Sequence, residues 1–251
     1  MNPRILLVTA GRVLAQLRSD HRTVAMILVV PSALMILLYF LYQNVPTTAG
    51  EQPLFDRIAI TMLGIIPFVI MFLVTSIAMQ RERTSGTLER LLTTPMAKLD
   101  LLGGYATAFS AAAAAQAALA CAVSFGFLGL WTQGAVGWVI LIAIVDAVLG
   151  VALGLLCSAF ARTEFQAVQF MPVIVIPQLF LCGLLVPRDQ LPTWLEWTSN
   201  VLPLSYAVEA LNEVAKNPGT TATMWRDLAI VALFAVGALC LAAATLRRRT
   251  P

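Results

Sequence analysis

Apolar residues gather into six long runs along this chain, at 24–42, 58–79, 105–130, 136–160, 168–186 and 228–246. A helix needs about 20 apolar residues to cross the hydrocarbon core of a bilayer, so each run predicts one membrane-spanning helix. Asp146 is the only formal charge within them. Pro31, Pro67, Pro172 and Pro177 interrupt three of the stretches, which predicts kinked spans, since neighbours or water can satisfy the freed carbonyls. Ahead of the first run, Ile5, Leu6, Val8, Val13, Leu14 and Leu17 recur near helical spacing, with Arg4, Arg12, Gln16 and Arg18 between them. Residues 3–20 are therefore expected as an amphipathic helix lying in the membrane interface. A solvated basic tail that only sets topology is the alternative. A cleaved leader is not expected, because the first run is long and follows some twenty polar residues.

An even number of spans puts both ends on one side, and the positive-inside rule selects the side. One set of segments carries Arg4, Arg12, Arg18, Arg22, Arg81, Arg83, Arg90, Lys98, Arg162, Arg247, Arg248 and Arg249. The opposite set holds Arg57, Arg188, Lys216 and Arg226. Both termini are thus expected in the cytoplasm. Composition agrees with a lipid environment: 59% of residues are hydrophobic and 12% charged, against roughly 25% charged in soluble domains. The net charge of +3 is small and scattered, so nucleic acid is not an expected partner. Cys121, Cys157, Cys182 and Cys240 lie in apolar runs without paired metal spacing and read as small buried hydrophobes. Arginine far outnumbers lysine and alanine is abundant, a compositional cue to a GC-rich bacterial genome and hence to the bacterial inner membrane.

The loop at 80–98 is the most informative polar stretch. Charges crowd its start, Gly86 permits a sharp turn and Thr87 suits an N-cap. Leu88, Leu91 and Leu92 then stand at i, i+3 and i+4, giving a short helix one apolar face, and Pro95 closes it. Such a helix has no core of its own and should dock into a groove on another protein, with Glu82, Glu89 and Arg90 as its polar rim. At 187–216, Pro187, Pro192, Trp194, Pro203 and Tyr206 mark a segment too long for a simple loop. Its tryptophans favour the interface, so it is expected to dip into the outer leaflet. A plain external loop is the alternative.

The run Arg81-Glu82-Arg83-Thr84-Ser85-Gly86-Thr87-Leu88-Glu89-Arg90-Leu91-Leu92-Thr93-Thr94-Pro95 resembles the loop signature of type-2 ABC transporter permeases. A second stretch, from Cys182-Gly183-Leu184-Leu185-Val186-Pro187 through Leu202-Pro203-Leu204-Ser205-Tyr206 to Leu211, is similar to that family's segment after the fifth span. The nearest flavour is the drug-export, daunorubicin-resistance-like branch. Asn212 stands where many members carry arginine. The resemblance implies an all-α integral membrane protein forming a single transmembrane domain over 1–251. Six spans would be joined by an N-terminal interfacial helix, a cytoplasmic coupling helix and an outer re-entrant hairpin. It also implies two copies of a separate ABC ATPase carrying ATP and Mg, and a second permease copy, identical or paralogous.

No Gly-x-x-x-x-Gly-Lys-Ser/Thr phosphate loop occurs in the chain, so an ATPase site of its own is not expected. The expected function is the translocation pathway of an ATP-driven exporter for a hydrophobic or amphipathic drug, lipid or glycan. Asp146, Gln116 and Gln178 are the polar groups within the spans that could belong to that pathway. The alternative for Asp146, which the cost of a buried charge favours, is a protonated acid bonded to a neighbouring helix, and for the glutamines, ties between helices. A secondary transporter coupled to a proton on Asp146 is the rival reading. The alanine-rich third span, with Ala111–Ala115, Ala117, Ala118 and Ala120, predicts close helix approach, within the chain or across a dimer.

Overall fold

The computed structural model describes residues 3–46, 53–87 and 97–245. Among them the chain is helical, with no strand. The helices are α1 (Pro3–Ser19), α2 (His21–Tyr42), α3 (Leu54–Thr84), α4 (Lys98–Gly126), α5 (Val136–Ser158), α6 (Glu164–Leu181), α7 (Thr193–Val201), α8 (Pro203–Lys216) and α9 (Ala222–Thr245). A 3₁₀ turn, Arg188–Gln190, precedes α7. Six of these, α2 to α6 and α9, are long and apolar enough to cross a membrane. The helices run through Pro31, Pro67, Pro172 and Pro177 without interruption.

Several ends fall outside the apolar runs. The third helix continues through Gln80-Arg81-Glu82-Arg83 to Thr84, residues expected in the loop. These are good helix formers, and Arg81 and Arg83 in the last turn oppose the negative end of the helix dipole. The sixth helix ends at Leu181, short of the run's end at 186, because Gly183 turns the chain at φ +94. That left-handed angle suits glycine and few other residues.

The centre of the bundle is the α3–α5 pair, the most extensive helix contact in the fold. Its cause is local: Gly150 and Gly154 stand four apart on α5. A Cβ at Gly150 would lie 2.4 Å from the Phe68 carbonyl oxygen, and one at Gly154 2.6 Å from that of Phe72. Two backbones therefore touch, as small-xxx-small spacing allows in membranes. Around this pair, Phe55, Ile60, Val139 and Val214 fill one end, and Val13, Met79, Leu101 and Tyr105 fill the other. In α4, Ala113, Ala117 and Ala120 face inward and are buried, while Ala111, Ala115 and Ala118 face out. The first helix lies on α4, where Gly103 and Gly104 admit Leu6 and Thr9. Its other side leaves Leu7, Val8 and Leu14 exposed.

Helix α8 enters the bundle itself. Leu204, Ala207, Val208, Ala210 and Leu211 are buried, and Leu211 meets Gly64, ten residues into α3. Its far end pairs with the α4–α5 connection, where the Gln133 and Gly134 amides donate to the Ala215 and Val214 carbonyls at 3.1 and 2.9 Å. The neighbouring α7 instead turns Trp194, Trp197 and Val201 outward.

Candidate functional site

Of the loop residues singled out from the sequence, Leu88, Glu89, Arg90, Leu91, Leu92 and Pro95 lie outside the described residues. The approach to them is described. Ser85 follows the end of α3, and Gly86 takes φ +72. The Ser85 and Thr87 hydroxyls lie 3.0 Å apart. Glu82 is not on the outer rim: it is 6% exposed and faces inward. Its Oε1 stands 3.9 Å from Arg12 of α1, whose guanidinium also donates to the Tyr105 hydroxyl on α4. The reason is electrostatic, since a carboxylate brought under α1 by the extra helical turn needs an opposite charge. Glu82 Oε2 has no partner. Arg81, by contrast, faces out and pairs with Glu164 at the start of α6, at 3.1 Å.

In mid-bundle, Asp146 is completely buried. It lies across from Gly64, where an added methyl would stand 3.5 Å from Oδ2, and near Val208 and Leu211. Neither carboxylate oxygen has a partner. Gln116 is equally buried, with both amide atoms unpartnered. Gln178 is different. Its amide donates to the Ile174 carbonyl at 3.0 Å, and its Oε1 accepts from Leu204 N at 3.3 Å. That bond ties α6 to the first turn of α8, where helical amides lack internal partners.

The 187–216 segment is held by a continuous set of polar contacts. Ser199 donates to the Leu181 carbonyl at 2.8 Å, and its hydroxyl hydrogen-bonds that of Ser205, 3.0 Å away, joining both short helices to the end of α6. Pro187 and Pro192 open the 3₁₀ turn and α7, and Pro203 sits at the start of α8, where its missing N–H costs nothing. Arg188 bonds Glu209 and Asn200 and lies 5.2 Å from the Tyr206 ring. Arg226 of α9 reaches Glu209 at 3.6 Å and Asp227 at 2.8 Å. Arg188, Asn200, Tyr206, Glu209 and Arg226 border a cavity of about 1020 Å³ that also takes in Arg57, Asn212 and Lys216.

Arg12, Tyr105, Arg188, Glu209 and Arg226 are the site residues that sequence reading passes over. Arg188 and Arg226 had a signal, being cations on the sparsely charged side of the topology. Arg12 and Tyr105 had none, because they stand 93 residues apart in sequence and Glu82 lies on a third element. Of the cysteines, Cys121, Cys157 and Cys182 are buried and Cys240 is exposed.

Six apolar helices of spanning length, a buried central pair and a polar hairpin folded into one end define a multi-pass helical membrane protein. The family model described as ABC-2 type transporter matches residues 4–215, and the chain belongs to that family. It is 26% identical over 171 residues to the Dictyostelium discoideum "ABC transporter G family member 20", covering 67% of this chain and 23% of that protein. It is 23% identical over 168 residues to the Escherichia coli K12 "Probable multidrug ABC transporter permease YbhR", covering 67% and 46%. The Rhizobium leguminosarum bv. viciae "Nodulation protein J" is 23% identical over 172 residues, covering 68% and 66%. The chain thus spans less than half the length of the first two relatives.

Proposed function

We propose that this chain is the membrane-spanning subunit of an ATP-driven exporter, drawing its energy from a separate ABC ATPase. The observation that carries the reading is the ABC-2 match over residues 4–215, which takes in the 80–98 loop. A relative bearing the name of a multidrug permease supports export of a hydrophobic or amphipathic cargo: a drug, lipid or glycan. The drug-export, daunorubicin-resistance-like branch is the one this reading favours. Two ATPase copies with ATP and Mg, and a second permease copy, complete the complex. The cation asymmetry of the loops supports cytoplasmic termini in a bacterial inner membrane. In that orientation α1 is the interfacial helix, its exposed Leu7, Val8 and Leu14 in lipid, and α7–α8 is a re-entrant hairpin entering from outside.

Coupling follows from the helix path. The α3 helix runs unbroken from Leu54 to Thr84 and leads directly into the loop, so force on Leu88, Leu91 and Leu92 reaches the α3–α5 pair as one rigid body. The pair then moves against α8 at Gly64 and Asp146, rocking the spans between two states. Leu91→Asp is expected to abolish both substrate stimulation of the ATPase and export, leaving the basal hydrolysis of the ATPase intact. Survival of both would remove the docking role. The unpartnered Asp146 carboxylate favours one rival, proton-coupled transport. Asp146→Asn should leave ATP-driven export running, whereas loss of transport that a pH gradient alone sustains in wild type would favour the rival.

A further inference from the structure

Besides the outer basin, a second cavity of about 490 Å³ opens between α1, α2, α3 and α4. Its volume falls in the range of small-molecule sites, roughly 300–1,000 Å³. Val13, Leu17, Val74 and Phe109 make an apolar wall, while Gln16, Asp20, Arg81 and Glu82 supply the polar groups. The polar groups there are incompletely paired: Arg12 Nε and Glu82 Oε2 are both buried without a partner. Arg81 is already held by Glu164 at 3.1 and 3.4 Å. Arg12 donates to Tyr105 and approaches only Glu82 Oε1, at 3.9 Å. Glu82 is more than nine-tenths buried, and its Oε2 is left without a partner. Asp20 adds a second carboxylate, engaged by the Thr23 hydroxyl at 2.7 Å and the Thr23 amide at 3.2 Å.

Even with Arg12 beside the other oxygen, a buried carboxylate oxygen left without a hydrogen bond costs free energy. A cation delivered with an apolar body would remove that cost and cover the wall in one step. We propose that this cavity is a binding site for an amphiphilic cation, with Glu82 as its counter-ion. Resting on the exporter reading above, it serves as the site where cargo loads from the cytoplasmic leaflet. An anionic amphiphile of the same shape would place like charges together and be rejected.

The full chain in phosphatidylcholine nanodiscs tests this with tetraphenylphosphonium and tetraphenylborate, an isosteric pair of opposite charge. Binding is measured by equilibrium dialysis after subtracting uptake by empty discs. Wild type should bind the phosphonium at least about tenfold more tightly than the borate. Glu82→Gln should weaken the phosphonium about tenfold or more, the scale of one lost interaction with a charged group. Ile77→Trp, at a residue lining the cavity, narrows it without altering charge; it should weaken the phosphonium about tenfold or more and leave the borate unchanged, and it decides the matter if Glu82→Gln does not fold. Equal binding of the two probes, or phosphonium binding unaffected by either substitution, would overturn the site. No ATPase enters this measurement, so its failure leaves the exporter reading standing, and an unaffected Leu91→Asp complex would do the reverse.

Discussion

Helices α5 and α6 are both apolar and both long enough to span a membrane, yet they occupy opposite situations in the fold. Most of α5 is buried, whereas little of α6 is. Hydrophobicity does not account for the difference, because lipid is as apolar as the core and gives apolar side chains no reason to prefer one over the other. Small residues do. Gly150 and Gly154 let α5 meet the α3 backbone. In contrast, α6 carries Phe165, Val173 and Phe180 outward, lies along α3 on one side only, and is tied to the hairpin through Gln178 and the Leu181 carbonyl. The central pair is held backbone to backbone, and α6 turns an apolar side outward.

The same contrast can be drawn with one substitution at two glycines. Gly150→Ala puts a methyl 2.4 Å from a backbone oxygen, so the two helices must separate. A loss of about 3 kcal/mol or more is expected, seen as collapse of the monodisperse peak after detergent extraction. Gly237→Ala on α9 meets nothing within 4 Å and should be neutral or stabilise by up to about 1 kcal/mol through helix propensity. Equal behaviour of the two variants would break the comparison.

A smaller effect is expected at the α7–α8 hairpin. Glu209→Gln leaves Arg188 and Arg226 facing each other without their shared carboxylate. The pair is partly exposed, so the loss is screened to about 1–2 kcal/mol. Hydrogen exchange should rise at α7 and the start of α8 while α3 and α5 stay protected.

The smallest effect lies at the α1–α2 junction. Thr23 holds the Asp20 carboxyl below its ordinary value through its hydroxyl and then its amide. A depressed carboxylate contributes stability that is complete above its unfolded value, near 3.8, and is lost as pH falls through the lower folded value. Asp20→Asn should therefore lower Tm by roughly 1–3 °C at pH 7, with the difference from wild type vanishing well below pH 4.

The six spans were legible because each is a continuous apolar run, and lipid imposes no other requirement on their sequence. Helix ends were less so: Gln80 to Thr84 reads as loop by polarity but extends α3 by propensity and dipole. The inward turn of Glu82 was illegible, since a charge at a helix end ordinarily faces water and its partner Arg12 sits on another element. The Gly150-x-x-x-Gly154 spacing was a readable signal that hydropathy alone passes over. Ser199 and Ser205 could not be distinguished from ordinary loop hydroxyls until α6, α7 and α8 were placed side by side.

The central claim is that this chain is a permease half that works only with an ATPase. Native mass spectrometry of the full chain, co-expressed with each ABC ATPase of its source genome and extracted in mild detergent, tests it most directly. The expected result is a complex of two permeases and two ATPases with one such partner, dissolved by Leu91→Asp. A chain that binds none of those ATPases, yet moves cargo in liposomes on a proton gradient alone, would contradict it.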